Sequence, residues 1–272
     1  MDAQTTGSNP TLPFVIALAH QKGGVGKTTS SSGLAASLAG LGNRTLVIDL
    51  DPSGNLTAGL GVLPESVDAS AAEVLRGDSS AAHAVVPTAV AGLDLLPSGP
   101  GMLTLSRFLY RQSGYEHLLR AVLSETSMRR YRFVVIDCPP MLEAATITAL
   151  TATHLALIPT QCEYYSLQGL ESVFQLIRVV REKTNPLLRY RLLITMFDQR
   201  GALHRRILSH IQTHYQSALM QTVIGFDSKV RESQMVGEPV TEFSPRTRAA
   251  LQYRCLAEEL QTYAEKQTIQ PA

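Results

Sequence analysis

The stretch "HQKGGVGKTTSS", residues 20–31, follows a short apolar run and precedes a stretch rich in alanine and leucine. Its glycines and the pair Lys27 and Thr28 approximate the pattern G-x-x-x-x-G-K-S/T, with Gln21 and Lys22 where the first glycine region usually lies. Backbone N–H groups of such a loop and the N-terminus of the following helix can surround a polyphosphate, and glycine leaves room for it. The sequence therefore predicts a deviant P-loop between a strand and a helix.

Apolar runs and amphipathic stretches alternate along the whole chain. Strands are predicted at 14–20, 44–50, 93–99, 132–140, 154–160, 190–198 and 218–225. Helices are predicted at 28–41, about 103–128, 143–152, 167–183, 202–216 and about 245–266. Apolar runs without polar alternation indicate strands covered on both faces, and strands that alternate with helices indicate a parallel sheet. The prediction is an α/β fold whose ligands bind at the C-terminal ends of the strands.

Length and composition suit one domain. The 272 residues are 44% hydrophobic with a net charge of +1, which permits a substantial core. We predict a single domain over 13–267 between tails at 1–12 and 268–272, and one short helix among the loops of 66–92. No run reaches the ~20 apolar residues of a membrane span, and the first residues do not resemble a secretory signal. A cytoplasmic protein is expected, with its three cysteines as buried, reduced thiols.

Carboxylates end two of the predicted strands. Asp49 and Asp51 lie two positions apart in "LVIDLDPSGN", residues 46–55, and so fall on the same side of an extended chain. Asp137 ends the run in "VVIDCPP", residues 134–140. A carboxylate at that position beside a P-loop can hold a magnesium-bound water.

Together with "KGGVGKTT" and "IPTQCEYYSLQGL", residues 158–170, these motifs closely resemble those of the ParA/MinD group of deviant Walker-A ATPases. Within that group the chain is most similar to the ParA/Soj partition ATPases, over about residues 14–265. The resemblance implies a P-loop NTPase three-layer sandwich with a central, mainly parallel sheet. It also implies ATP and Mg²⁺ as cofactors, and a homodimer that forms when ATP is bound.

The resemblance assigns roles to particular residues. Lys22 matches the lysine that reaches the phosphates of the partner subunit's nucleotide, whereas Lys27 serves its own nucleotide. Asp51 is expected to position the attacking water, so the expected catalytic residues are Lys22, Lys27 and Asp51. The expected metal-site residues are Thr28, Asp49 and Asp137. The expected nucleotide contacts are Gly23, Gly24, Val25, Gly26, Lys27, Thr28, Thr29, Met196, Phe226 and Asp227.

Four alternative functions are considered for this chain, and they differ in the partner, cluster or substrate that it would bind. A ParA-like switch would bind non-specific DNA on the nucleoid and respond to a ParB-like or other activating partner. A MinD-like switch would bind membrane, but the ending "CLAEELQTYAEKQTIQPA" lacks a basic amphipathic helix, so no membrane partner is expected. An iron–sulfur reductase would need cysteines that hold a cluster between the two subunits of the dimer. Cys138 and Cys162 are the cysteines considered for that role. A ligase similar to dethiobiotin synthetase would consume a small carboxylated substrate.

Basic residues in the C-terminal part of the chain favour the function that includes binding to non-specific DNA. A two-fold dimer would double their number on one face and could produce an ATP-dependent phosphate-binding surface. Residues 224–237, "IGFDSKVRESQMVG", depart from the pattern typical of Soj-like members, with Gly225 in place of a proline. The predicted DNA contacts are Arg205, Arg206, Lys229, Arg231, Arg246 and Arg248.

Overall fold

The apolar runs form one sheet in the computed structural model, which describes residues 12–269 except for the side chains of 164–168, 268 and 269. The strands are β1 (Phe14–Leu18), β2 (Thr45–Asp49), β3 (Val86–Pro87), β4 (Leu93–Leu96), β5 (Phe133–Asp137), β6 (Leu155–Gln161), β7 (Arg189–Phe197) and β8 (Leu219–Gly225). Their order across the sheet is β3-β4-β2-β5-β1-β6-β7-β8. Every neighbouring pair is parallel except β3 with β4. The predicted mainly parallel α/β sheet is confirmed.

Helices follow the strands. They are α1 (Lys27–Gly40), α2 (Asn55–Ala58), α3 (Ala71–Arg76), α4 (Ala81–Ala84), α5 (Met102–Leu109), α6 (Leu118–Leu123), α7 (Ala144–Ala152), α8 (Tyr164–Lys183), α9 (Ala202–Tyr215), α10 (Ser228–Met235), α11 (Val240–Phe243) and α12 (Arg248–Ile269). No helix in the described part of the chain is long and apolar enough to cross a membrane. Because α12 continues to Ile269, the domain boundary predicted at 267 cuts through a helix.

Two separate cores lie on the two faces of the sheet. Alternate residues of β1 enter different cores, with Val15 in one and Ile16 in the other. The first core also contains apolar residues of α7 and α8, and the second contains apolar residues of α1 and α12. This arrangement is the three-layer sandwich that strands buried on both faces require.

Two sequence predictions about helices are wrong, and two helices were missed. The helix expected over about 103–128 is interrupted, because Gly114 has a φ of 73° and α5 and α6 are separate. The stretch 66–92 contains α3, α4 and the antiparallel strand β3, where one short helix was expected. Serines accept hydrogen bonds from the first turn of both α3 and α4, and such caps stabilise even short helices. The helices α10 and α11 were not predicted at all.

Candidate nucleotide-binding site

The P-loop connects the end of β1 to the start of α1. Gly24 and Gly26 have φ angles of 75° and 87°, a left-handed conformation that favours glycine. A Cβ atom on Gly23 or Gly24 would meet no atom within 4 Å, so the loop faces open space. Gly26 precedes α1 without a side-chain cap, and the first turn of α1 contains no acidic residue. The first N–H groups of α1 are therefore available to an anion.

Lys27 is buried at the base of this loop, only 6% exposed. Its ammonium group donates to the carbonyl oxygen of Lys22 at 3.4 Å. Burial lowers the pKa of Lys27, while the nearby Asp137 carboxylate opposes that shift. A buried cation beside open N–H groups is suited to the phosphates of a nucleotide.

Asp137 lies at the end of β5, directly under the start of α1. Its two carboxylate oxygens accept hydrogen bonds from the hydroxyls of Thr28 at 2.7 Å and Ser31 at 3.0 Å. Burial, together with the charge of Asp49 on the neighbouring strand, raises the pKa of Asp137 to about 8. A hydroxyl and a carboxylate at this position are the hard oxygen donors that Mg²⁺ prefers, so the pair fits the metal of a nucleotide complex.

Asp49 is fully buried and its oxygens are engaged within the protein. One oxygen accepts the backbone N–H of Asp51 at 3.0 Å, and the other accepts both the N–H and the hydroxyl of Thr57. Burial raises the pKa of this carboxyl group to about 6, against those hydrogen bonds. The contacts indicate that Asp49 holds the turn that presents Asp51. Thr57 was not identified from the sequence.

Asp51 faces the phosphate side of the site. One of its oxygens accepts the backbone N–H of Ser53 at 2.9 Å, and the other makes no hydrogen bond within the described chain. Asp51, Gly24, Lys27 and Thr28 all contribute to the lining of one cavity of about 460 Å³. The structure thus brings together in one concave site the P-loop residues and the carboxylate predicted to orient water.

A second, smaller cavity of about 120 Å³ adjoins the loop through Gly26 and Thr29. Met196, Phe226 and Asp227, all predicted as nucleotide contacts, line it. Met196 has a φ of 51°, a strained conformation for a residue with a side chain. The Asp227 carboxylate caps α10 by accepting the N–H of Lys229, and also accepts the N–H of Ala249. Asp227 therefore shapes the cavity with its carboxylate already engaged.

Gln234 joins both cavities and was missed by the sequence reasoning. Its amide donates to the hydroxyl of Thr29 at 2.8 Å, and it lines the cavities of 460 Å³ and 120 Å³. It lies in the stretch 224–237 that departs from the Soj-like pattern. A glutamine in a polar helix gives no signal in the sequence that would distinguish it from a solvent-exposed side chain.

Lys22 occupies the rim of the loop rather than its base. Its ammonium group lies 2.8 Å from Glu163 Oε2 and 3.3 Å from Gln161 Oε1, at the end of β6. The Lys22 side chain is 32% exposed and that of Glu163 is 50% exposed. In this structure the second lysine is thus held by an ion pair with its own chain.

The basic residues predicted to contact DNA are spread over three segments. Arg205 and Arg206 are exposed on α9, Arg231 is exposed on α10, and Arg246 and Arg248 are exposed near the start of α12. Lys229 is half-buried and forms an ion pair with Glu232, which reduces its availability to a phosphate.

The presence of glycine at position 225, where Soj-like members have proline, is explained by the contact of this position with Arg248. A Cβ at that position would lie 3.0 Å from the guanidinium of Arg248, which donates to the carbonyl oxygen of Phe226. The Gly225 N–H also donates to Gln252 at 2.8 Å, a bond that proline cannot make. The glycine therefore lets Arg248 pack against β8.

The cysteines do not resemble a cluster site. Cys138 and Cys162 are completely buried in the core on one face of the sheet, and Cys255 is exposed. The expectation of three buried thiols is wrong for Cys255. A metal cluster shared by two subunits needs thiolates at a surface, and burial raises the pKa of Cys162 to about 11. This geometry disfavours the iron–sulfur alternative.

The fold and the loop define a P-loop nucleotide-binding protein. The family model described as an AAA domain (AAA_31) matches residues 14–190. The sporulation initiation inhibitor protein Soj of Bacillus subtilis is 36% identical over 90% of this chain and 97% of its own. The chromosome partitioning protein ParA of Myxococcus xanthus is 33% identical over 92% of this chain and 88% of its own.

Among solved structures, that of cobyrinic acid a,c-diamide synthase from Mycobacterium smegmatis, with bound ATP analogue and magnesium, superposes with a TM-score of 0.81. It is 31% identical, and the match covers 93% of this chain and 96% of that chain. The chain belongs to the ParA/MinD family of P-loop ATPases, as the sequence motifs predicted.

Proposed function

We propose that the chain is an ATP-dependent dimerising switch of ParA type. Two copies associate when each holds ATP and Mg²⁺, and they separate after ATP and water have become ADP and phosphate. The ATP-bound dimer binds DNA on the nucleoid without sequence preference, in the cytoplasm. A ParB-like or other activating partner triggers hydrolysis, so that a plasmid, a chromosome or a protein cargo is positioned. The similarity to proteins named Soj and ParA supports this proposal.

The position of Lys22 is the observation that carries the proposal. Lys27 already supplies a cation at the base of the loop, whereas Lys22 is not among the described residues that line the phosphate cavity. A cation at the rim can contact the phosphates of a second copy across a two-fold interface, much as an arginine finger does. Nucleotide binding and dimerisation then form one linked equilibrium.

The other residues of the site have separate roles in ATP hydrolysis. Lys27 and the N-terminus of α1 hold the phosphates, while Thr28 and Asp137 would hold Mg²⁺, directly and through water. Bound Mg²⁺ would offset negative charge on the phosphates during the reaction. Asp51 has one carboxylate oxygen without a hydrogen bond in the described chain, and that oxygen can orient the attacking water.

The contact between Lys22 and Glu163 adds a monomer-specific restraint to this switch. Because a lysine paired with Glu163 cannot at the same time serve a partner's phosphates, dimerisation must break this ion pair. Exposed ion pairs contribute only about 0–1 kcal/mol, so ATP binding can readily supply the cost. The pair would therefore raise slightly the protein concentration at which the dimer forms.

Light scattering with ATP and Mg²⁺ tests the dimer. Lys22→Ala should bind ATP and remain monomeric, because the trans cation is missing. Glu163→Gln should dimerise at a lower protein concentration than the parent, because the restraint is removed. Asp51→Ala should accumulate as a dimer with little phosphate release. Lys183→Ala, which removes an exposed lysine at the end of α8, is the control. Parental dimerisation by Lys22→Ala would disprove the trans role.

Duplex DNA of random sequence tests the second half of the proposal. If about three phosphates are engaged per subunit, log affinity against log salt should fall with a slope of roughly −5 for the ATP dimer. The double variant Arg205→Ala, Arg206→Ala should flatten this slope, while Arg107→Ala, Arg111→Ala removes the same charge elsewhere. Absence of DNA binding at low salt in the presence of ATP, ADP or no nucleotide would contradict this surface.

A ligase is the second candidate, because the solved structure with 31% identity is named a diamide synthase. The discriminating measurement is phosphate release from ATP by the purified chain with and without carboxylated substrates and glutamine. Dependence of phosphate release on such a substrate would favour a ligase. Dependence on DNA and a protein partner would favour the switch.

A further inference from the structure

A cluster of arginines lies at the opposite end of the sheet from the P-loop, where β7 begins. Arg181 lies in the last turn of α8, and Arg189 and Arg191 are the first and third residues of β7. The three side chains line a shallow cavity of about 230 Å³, together with Tyr190, Ser217 and Tyr263. No described residue that lines this cavity is acidic. We call it the arginine cup.

The guanidinium groups are held in place by aromatic rings. Arg181 lies 5.5 Å from the ring centre of Tyr190, and Arg191 lies 5.1 Å from that of Tyr263. Such stacking orients a guanidinium without neutralising its charge. Each of these arginines uses one N–H on a backbone carbonyl, Arg181 on Leu188 and Arg191 on Tyr190. Since a guanidinium carries several N–H donors, most of them remain available to a ligand.

Neighbouring carboxylates do not neutralise the cup. Glu259, one turn before Tyr263 on α12, accepts the backbone N–H groups of Gln221 and Thr222. Glu265 pairs with Arg132, which directly precedes β5. The side chain of Arg189 is exposed and makes no ion pair or hydrogen bond with the described residues, whereas its backbone N–H donates to His154. The carbonyl contacts of Arg181 and Arg191 have a structural role in the loop before β7 and in β7, whereas the Arg189 side chain makes no such contact.

An apolar cleft adjoins the cup. Its volume is about 550 Å³, and Arg189 and Tyr263 line both cavities. The cleft is lined mainly by apolar groups, among them Leu12, Phe14 and Leu123. The hydroxyl of Tyr263 is buried and has no hydrogen-bond partner among the described residues. A buried hydroxyl without a partner is costly, and a ligand oxygen would satisfy it.

We infer that the arginine cup and the cleft form a binding site for a phosphate monoester with an apolar or aromatic body. The phosphate is held by Arg181, Arg189 and Arg191 with the Tyr263 hydroxyl, and the apolar body lies in the cleft. Guanidinium groups match the geometry of phosphate oxygens, and the cleft removes apolar surface from water. This site is separate from the nucleotide site, which lies at the other end of the strands, and it does not depend on the proposed function.

Duplex DNA fits this site less well. DNA presents phosphates along a polar, hydrated backbone, and this backbone has no apolar group that would fill the cleft. One face of the Tyr190 ring and one face of the Tyr263 ring are already covered by guanidinium groups, which leaves less ring surface on which a base could stack. A small amphiphilic phosphate uses both halves of the site.

Isothermal titration calorimetry with phenyl phosphate tests the inference. The full chain is first saturated with ADP and Mg²⁺, so that the P-loop does not compete for the probe. Phenyl phosphate should bind about tenfold or more tightly than inorganic phosphate, because only the ester fills the cleft. Hexyl phosphate, in a parallel titration, distinguishes an aromatic from an aliphatic body. Equal affinity for both esters and for inorganic phosphate would overturn the two-part site.

Variants separate the contributions of the cup. Arg189→Ala should weaken phenyl phosphate about tenfold through loss of a charge-assisted hydrogen bond. Arg189→Lys should recover part of that loss, and Tyr263→Phe should weaken binding about threefold without altering the charge. Arg254→Ala, which removes an exposed arginine elsewhere on α12, is the matched control. Thermal melts establish that each variant is folded.

Two outcomes with these variants would also overturn the inference. One is that Arg189→Ala and Arg254→Ala bind phenyl phosphate equally. The other is that Arg189→Ala weakens duplex DNA in the ATP state while leaving phenyl phosphate unchanged, which would make the cup a nucleic-acid contact.

Discussion

The two ends of the parallel sheet offer cationic environments built in different ways. At the carboxyl end, α1 points its N-terminus at the phosphate cavity, and the polar side chains around it are buried and hydrogen-bonded. At the amino end, α8 terminates instead, and helix C-termini carry partial negative charge. Cationic character there comes from arginines stacked on tyrosines.

The difference shows two ways to recognise an anion. The P-loop uses the backbone, so its residues must be contiguous and rich in glycine. The arginine cup uses side chains, and its residues come from α8, β7 and α12, which meet only in the folded chain. The first kind of site is readable as a motif, whereas the second has no sequence signature.

The largest effect is expected from a substitution that impairs anion binding at the carboxyl end of the sheet alone. Lys27→Ala should weaken ATP binding by at least about tenfold, since a charge-assisted hydrogen bond contributes roughly 1.5–3 kcal/mol. Phenyl phosphate binding at the amino end should remain unchanged. Nucleotide titration by calorimetry measures the loss, with Lys183→Ala, at an exposed lysine at the end of α8, as a control for charge. ATP affinity within twofold of the parent would show that the backbone alone suffices.

A smaller effect is expected where α1 packs on α12, the helix that extends between the two ends. A Cβ on Gly33 would lie 2.7 Å from the buried ring of Tyr253. Gly33→Ala should therefore lower the free energy of unfolding by about 1–3 kcal/mol, despite the better helix propensity of alanine.

Denaturant titration checks this value. The control is Gly40→Ala in the same helix, where a Cβ meets no atom within 4 Å. If both variants unfold at the same denaturant concentration, the close approach of the two helices does not limit stability.

The smallest effect concerns pH at the amino end. His154 Nδ1 accepts the backbone N–H of Val15 at 3.0 Å, which requires an unprotonated nitrogen. Partial burial of the ring, and then the charge of Arg120, lowers the pKa of His154 below its ordinary value of 6.5. The neutral form is favoured in the folded state, so its stabilising contribution is present above pH 6.5 and is lost as the pH falls below that value.

Unfolding at pH 7.5 and 5.5 measures this dependence. His154→Gln keeps an acceptor that does not titrate, so it should reduce the loss of stability between the two values. His83→Gln, which removes a histidine from the short helix α4, is the comparison variant. An equal response to both substitutions would contradict a specific role for His154.

Much of the nucleotide site was predictable because it is local in sequence. The glycines, Lys27 and Thr28 lie within six residues of one another, and Asp51 and Asp137 follow apolar strands whose carboxyl ends meet at one edge. Helix boundaries in 66–128 were less predictable, since short helices there depend on capping serines and on Gly114. The role of Asp49 beneath Asp51 became apparent only with its partner Thr57.

The sequence by itself determined the alternation of strands and helices, the P-loop and the family, because periodic apolar burial and a contiguous glycine loop depend on neighbouring residues. Only the tertiary structure decided that Lys22 pairs with Glu163, 141 positions away, and that Gln234 reaches Thr29 across 205 positions. It also decided that three arginines share one cavity. Such contacts depend on how strands cross and helices pack, which places side chains together whatever their separation along the chain.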